Sequence, residues 1–219
     1  MARAEIAPIF SVRSLVESAD LVIAGHIAAV RPTGVSSEEF QGRYYSRLYF
    51  EADITVDETI KGTSVPRHFV LAYSALSADP TRDVAVGGLT ANDYRVIFLR
   101  KTDDGYEFAN QYSSSLPGAA QSCGLTFEQE SNEDPCRRTL ERVLNVLCTN
   151  VSKDDKQRAL TSLTWDEDST AAPLLKGALS LPAVSSDPVL RTSILSDLLR
   201  WNDLSVLPAA EDDLFKLEL

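Results

Sequence analysis

The stretch Phe50-Glu-Ala-Asp-Ile-Thr-Val-Asp57 alternates strictly between apolar and polar residues. Alternation with a period of two places the apolar side chains on one face of a β-strand and the polar side chains on the other. The pattern extends back through Tyr45, Arg47 and Tyr49, and it ends at Ile60-Lys-Gly62, where the glycine favours a turn. This stretch therefore predicts one long strand in a sheet that has one face in water.

Shorter apolar segments on both sides of this strand predict the rest of a sheet. Residues 11–19 have the pattern of a short helix, and residues 20–30 predict a strand that is apolar on both faces near its start. Residues 31–42 are rich in Gly, Ser and Glu, which predicts an exposed loop. Further strands are predicted at Phe69–Tyr73, at Asp93–Leu99 and, after the Asp104-Gly105 hairpin turn, at Tyr106–Phe108. About five strands, one of them long, are typical of a small closed or nearly closed barrel.

From about residue 136 the apolar residues recur at every third or fourth position, which indicates amphipathic helices. Asp187-Pro188 predicts a helix that begins with an aspartate cap and a proline in the first turn. Leu163-Thr-Trp-Asp166 recurs as Leu199-Arg-Trp-Asn202, at a spacing typical of stacked helical repeats. The period change therefore predicts a sheet followed by paired helices.

These patterns resemble bacterial exported domains of the TIMP/netrin-like class. The resemblance rests on Ser18–Gly25, on the long alternating strand closed by Ile60-Lys-Gly62, and on Asp93–Leu99, and it covers roughly residues 10–120. It implies an OB-fold-type barrel of five strands with flanking helices. The segment from about 150 to 219 is similar to HEAT-type helical repeats.

The predicted fold class is thus α+β. A five-stranded OB/TIMP-like β-barrel is expected at residues 10–120, a cysteine-bearing connector at 121–136, and a short HEAT-like helical-repeat tail at 137–219. Metalloproteinase inhibitors that share the barrel use an N-terminal cysteine to chelate zinc. Because no cysteine precedes Cys123 here, the resemblance does not extend to that mechanism.

The three cysteines, at positions 123, 136 and 148, all follow the predicted barrel. A helix would separate Cys136 from Cys148 by about 18 Å, which is too far for a disulfide. Cys123 can pair with either, and Cys136 is the preferred partner because a polar, loop-like stretch separates the two. Three reduced thiols are the alternative.

A disulfide would favour an extracytoplasmic location, periplasmic or secreted. Residues 1–5 contain no apolar stretch like that of a signal peptide, so we expect such a signal to have been removed from this chain.

The sequence contains no recognisable reactive centre. The two histidines, His26 and His68, lie outside any HExxH motif, and there is no Gly-x-Ser-x-Gly elbow and no phosphate-binding loop. No catalytic residue, metal site or cofactor is therefore predicted, and the protein is not expected to be an enzyme. Two alternatives stay open: a hydrolase that uses His26 or His68 with nearby carboxylates, and an intracellular scaffold with free thiols.

Charge and aromatic residues indicate the kind of partner. A net charge of −11 argues against nucleic acid, and no apolar run approaches the ~20 residues that membrane insertion needs. Tyrosines interleaved with arginines predict a contact surface, and two tryptophans, each of which could also belong to the core, predict a second one. The first set is Arg43, Tyr44, Tyr45, Arg47 and Tyr49, and the second is Trp165 and Trp201. By analogy of fold, we expect a non-enzymatic extracytoplasmic module that binds a protein partner.

Overall fold

The computed structural model describes residues 11–40, 43–63, 65–77, 89–110, 114–127, 134–164 and 169–217. Within these ranges the chain forms a six-stranded antiparallel sheet and seven α-helices, so the α+β class is confirmed. The strands are β1 (Leu21–Phe40), β2 (Arg43–Lys61), β3 (His68–Ser77), β4 (Tyr94–Thr102), β5 (Gly105–Phe108) and β6 (Ser115–Pro117). The α-helices are α1 (Val12–Ser18), α2 (Pro135–Leu144), α3 (Lys153–Thr164), α4 (Ala172–Ala178), α5 (Pro182–Ser185), α6 (Pro188–Arg200) and α7 (Leu207–Leu217). Short 3₁₀ helices cover Asn145–Cys148, Ser169–Ala171 and Leu204–Val206.

The sheet is built on a long hairpin of β1 and β2, whose strands have 20 and 19 residues. Cross-strand pairing continues to Phe40 and Arg43, so the loop predicted over 31–42 is wrong for residues 31–40, and its last two residues lie outside the described ranges. Residues 31–40 form a strand despite their polar composition because β2 supplies pairing partners for them. The register between the two strands shifts at several points, for example between Pro32 and Gly34.

The strand order is β3-β2-β1-β4-β5, and β6 pairs with β4. The described sheet has six strands instead of the predicted five, and it is not closed into a barrel, because β3 pairs there with β2 alone and β5 with β4 alone. These two edge strands approach each other through aromatic rings instead. The Phe69 and Tyr106 ring centroids lie 6.3 Å apart, and those of Tyr73 and Phe108 lie 5.1 Å apart.

The beginning of β1 is buried on both faces, as its continuous apolar sequence predicts. Leu21 and Ile23 belong to a core formed within the sheet. Val22 and Ala24 belong to a second core, which contains Phe98 of β4 and the buried residues of the helices. One face of the sheet therefore packs against a core made mainly by strand residues, and the other face shares a core with the helices.

Ion pairs also connect the sheet to the helices. Arg95 of β4 is buried, and its Nη2 lies 2.5 Å from Asp93 Oδ2 and 3.3 Å from Oδ1 of Asp155 in α3. Glu58 of β2 accepts hydrogen bonds from Arg138 and Arg142 of α2, each at 2.6 Å. The buried Arg95 guanidinium in particular needs such partners, because an unpaired buried charge is costly.

Lys61, at the end of β2, closes the last turn of α1. Its Nζ donates to the carbonyl oxygens of Val16 at 2.7 Å and Ala19 at 2.6 Å. A cation at this end also interacts favourably with the helix dipole. We expect Lys61→Met to lower the free energy of unfolding by about 1 to 2 kcal/mol, measured by urea denaturation. Lys101→Met, at an exposed position of β4, is the matched control, and an equal loss in both variants would contradict this role.

The helices match the predicted period. Leu140, Val143, Leu144 and Leu147 are buried as one apolar face, and Asp187 caps α6 with Pro188 in its first turn. A succession of α-helix, 3₁₀ helix and α-helix occurs three times among the described residues, from α2 to α3, from α3 to α4 and from α6 to α7. The assignment to HEAT-type repeats stays a prediction, as do the domain boundaries.

None of the helices in the described ranges has the length and apolar character that crossing a membrane requires.

The disulfide joins Cys123 to Cys148, whose Cα atoms are 6.1 Å apart, so the predicted pairing of Cys123 with Cys136 is wrong. The reason is the path of the connector. Asn145 accepts a hydrogen bond from the Cys123 N–H at 2.7 Å and donates one to the Leu125 carbonyl at 2.8 Å. These bonds hold Cys123 beyond the C-terminal end of α2. Cys136 lies in the first turn of that helix, half-buried against the helical core.

Candidate functional site

Three strands extend beyond the part of the sheet that the helices cover. Among the described residues β4 pairs with β1 over Leu21–His26, whereas β1 and β2 remain paired as far as Phe40 and Arg43. Strand β3 accompanies β2 over Ser46–Thr55. We call this extension the arm; it comprises residues 28–40, 43–55 and 68–77.

One face of the arm is polar and exposed. The Tyr49 hydroxyl lies 3.3 Å from Ser36 Oγ, Arg47 donates to Ser74 Oγ at 3.0 Å, and Arg31 forms an ion pair with Asp53 at 2.7 Å. These contacts connect neighbouring strands across the same face. The face therefore combines an exposed tyrosine with charged groups of both signs.

Three aromatic rings from three different strands, two of them in the arm and one in β5, form a ladder. Phe50 and Tyr73 stack with their ring centroids 5.3 Å apart and an interplanar angle of 21°, and Phe108 of β5 lies 5.1 Å from Tyr73. Burial raises the pKa of the Tyr73 hydroxyl to about 12. The ladder is therefore uncharged at any ordinary pH and forms an apolar wall.

A cleft of about 540 Å³ lies alongside this ladder. We call it the ring cleft; its lining includes Tyr49, Phe50, Glu51, Tyr73, Glu107 and Phe108. Ligand pockets typically combine aromatic walls with a few polar groups that fix orientation, and this volume lies within their usual range. The ring cleft is suited to holding a side chain or a short extended segment.

The ring cleft also contains ionisable groups. Arg100 lines it and pairs with Glu107 at 3.1 Å across β4 and β5. Glu51 of β2 is another lining residue, and its carboxylate forms an ion pair with Arg31 at 3.8 Å. In the described ranges no group of three or more His, Cys, Asp or Glu side chains could hold a metal ion.

The structure assigns the predicted contact residues to different places. Tyr49 lines the ring cleft, and Arg47 lies on the polar face of the arm. Residues 43–45 belong to β2, but the side chains of Arg43, Tyr44 and Tyr45 lie outside the described residues, as does the whole of Trp165. Trp201 is half-buried against the helical core, and the Arg200 guanidinium carbon lies 5.7 Å from its ring centroid.

Sequence reasoning did not identify Phe50, Tyr73 or Phe108 as site residues. Each lies in a segment whose pattern predicts a strand, and that pattern indicates only ordinary packing for these rings. The signal that would have found them is the pairing of β3 with β2 and the approach of β5, which bring three distant aromatic residues together.

The two histidines each contact a few neighbouring side chains. His26 Nε2 lies 3.7 Å from Asp57 Oδ2, and its ring contacts that of Tyr94 edge-on at 4.8 Å. His68 Nδ1 lies 3.1 Å from Thr55 Oγ1. A hydrolase would also need an activated nucleophile, so these contacts do not by themselves favour that alternative.

The arm and the ring cleft are thus defined by geometry and residue chemistry. Their exposed tyrosine, ring ladder and paired charges are features of binding surfaces. Neither the models of known protein families nor the sequences of curated proteins give a match to this chain.

Proposed function

We propose that this protein is a non-enzymatic module that binds a protein partner outside the cytoplasm, through the arm and the ring cleft. The observation that carries the proposal is the extension of three strands beyond the helical layer, with an aromatic cleft beside them. The polar face and the cleft are adjacent because Tyr49 belongs to both.

Exposed apolar side chains on the arm support the proposal. Val35 is 65% exposed, Val70 54% and Tyr49 39%. Tyrosine and arginine are enriched at protein interfaces and, with tryptophan, among the residues whose truncation weakens binding most. The resemblance to OB-type barrels points the same way, since such folds bind ligands along their second and third strands and the adjoining loops.

The disulfide supports the extracytoplasmic part of the proposal. Disulfides persist in oxidising compartments and are rare in the cytosol, where thiols are kept reduced. The bond between Cys123 and Cys148 fixes the connector to the helical layer, which would stabilise a protein exposed to such an environment.

Photo-crosslinking in native cells tests where a partner binds. A photoreactive amino acid at Val35 or Tyr49 should give a discrete adduct with another protein. The same residue at Val189 of α6, which is 51% exposed, is the matched control and should give none. Equal crosslinking at all three positions, or none on the arm, would contradict the proposal.

Once the partner is isolated, Tyr49→Ala should weaken its binding about tenfold, which corresponds to about 1.4 kcal/mol. Calorimetric titration measures this change. Because Tyr49 is partly exposed, the thermal midpoint of the variant should stay close to that of the parent protein. An unchanged affinity would show that the partner binds elsewhere.

A further inference from the structure

We infer that the partner adds an extended, uncharged segment to the outer edge of β3 and places an apolar side chain of that segment in the ring cleft. This inference rests on the proposed function and specifies the kind of contact. Three properties of the described residues support it: backbone groups that face outward from β3, an edge without the usual protection against strand pairing, and a cleft whose charges are already paired.

The backbone groups of Ser74 and Leu76 point away from the sheet. In an antiparallel ladder, residues that exchange hydrogen bonds with the neighbouring strand alternate with residues that do not. The Val56 N–H donates to the Arg67 carbonyl oxygen at 2.7 Å, and the pairing of β2 with β3 then continues without a register shift. Ser74 and Leu76 lie an odd number of residues after Arg67, so their N–H and carbonyl groups face the outer edge. No backbone hydrogen bond from another described segment reaches either residue.

Strand β5 ends before this part of the edge. The ring of its last residue, Phe108, lies beside Tyr73, whereas β3 continues to Ser77. The lining of the ring cleft includes residues 72–74 of β3 and residues 107–109, so the cleft lies where the two strands part. Because side chains alternate between the faces of a sheet, a segment paired with β3 here would direct every second side chain over the cleft.

The edge of β3 has none of the features that commonly prevent strand pairing, which are charged side chains, proline and bulges. The opposite edge of the arm, formed by β1, has all three, because register shifts occur before and after Arg31-Pro32. Strand β3, from His68 to Ser77, contains no Lys, Arg, Asp, Glu or Pro, and its pairing with β2 is continuous. Its edge is therefore open to pairing, and it offers no charge that would select a charged segment.

The ring cleft favours an apolar side chain. The ring ladder forms its apolar wall. Arg100 is paired with Glu107 at 3.1 Å. Glu51 is paired with Arg31 at 3.8 Å. A charged side chain would lose hydration in the cleft without meeting an unpaired counter-ion among these groups, whereas an apolar or aromatic one gains contact with the rings.

A second copy of this chain is the alternative occupant of the edge. Each copy carries a net charge of −11, and charge of one sign opposes self-association. A segment of a different protein meets no such repulsion, so we assign the edge to a partner.

Short peptides test this inference without the partner. The probe is the blocked heptapeptide Thr-Val-Thr-Phe-Thr-Val-Thr, titrated into the full chain while the NMR signals of the Ser74 and Leu76 amides and the Tyr73 ring are followed. Two modified probes carry N-methyl groups either on both valines or on the two threonines next to phenylalanine. Since a paired strand directs alternate N–H groups to its neighbour, one modified probe should bind at least about tenfold more weakly than the other. Equal binding of the two, or no saturable shift with the parent probe, would overturn the inference.

Charged probes test the choice of an apolar side chain. Replacing the phenylalanine of the peptide with lysine or with glutamate should weaken binding at least about fivefold in both cases. A lysine or glutamate probe that binds as tightly as the phenylalanine probe would contradict the inference.

Two proline variants locate the binding edge. Ser74→Pro removes an outward N–H without breaking the ladder to β2, and it should weaken binding of the probe about tenfold. Val70→Pro makes the same change near Phe69, whose ring approaches Tyr106 of β5, and should leave binding unchanged. Thermal midpoints close to that of the parent show that the variants are folded, and the methylated probes decide the question if one is not.

Two further results would overturn the inference. Sedimentation that detects a dimer, lost in Ser74→Pro, would assign the edge to a second copy. Failure of every probe to bind, with crosslinking retained at Val35 and Tyr49, would reject the added strand while the proposed function stands.

Discussion

Replacing Phe98 with alanine is expected to lower the free energy of unfolding by about 4 kcal/mol. Phe98 has no solvent exposure, and it packs in the core that the sheet shares with the helices. Truncation removes a large apolar surface and leaves a cavity that the surrounding helices can fill only in part. Phe98→Leu, which keeps most of the volume, should cost about 1.5 kcal/mol or less.

The same variant tests whether the sheet and the helices unfold together. Urea unfolding is followed by far-UV circular dichroism and by fluorescence, since both tryptophans lie in the helical part of the sequence. Because the core is shared, both signals should shift to the same lower midpoint. A fluorescence transition that stays in place while the sheet is destabilised would show that the helices form an independent unit.

Opening the disulfide is expected to cost about 3 kcal/mol. The bond closes a loop with a sequence separation of 25, and a cross-link of this length restricts the unfolded chain considerably. Cys148→Ser should therefore lower the urea midpoint strongly, whereas Cys136→Ser, which leaves the bond intact, should have a much smaller effect.

The pairing itself can be checked chemically. Under denaturing, non-reducing conditions one thiol should titrate, and proteolytic mapping should recover a peptide that joins Cys123 to Cys148. A peptide joining Cys123 to Cys136, or three titratable thiols, would contradict the pairing.

Local periodicity was sufficient to predict much of the fold. Ala52, Ile54 and Val56 are buried as their alternation with acidic residues predicts, and the change of period near residue 136 coincides with the first residues of α2 at Pro135. These features depend on side chains a few residues apart, so one segment contains all the necessary information.

The wrong predictions all concern contacts between distant segments. Residues 31–40 become a strand because β2 pairs with them. The disulfide partner was decided by Asn145, whose hydrogen bonds determine where the connector lies. Neither effect can be derived from the local pattern.

The candidate site was predicted in part for the same reason. Arg47 and Tyr49 are close in sequence, so their clustering was visible. The ring ladder combines β2, β3 and β5, and the register that aligns Phe50 with Tyr73 is a property of the folded sheet.

The continuous hairpin of β1 and β2 restricts how the length of this protein can change. One residue inserted into the arm would move every later side chain of that strand to the opposite face, unless a new bulge absorbed it. Tyr49 and Phe50 would then exchange their surroundings. Insertions and deletions in homologous chains should therefore change β1 and β2 by equal numbers of residues near the end of the hairpin. The length of the arm would then differ between homologues, while the same residue types stay on each of its two faces.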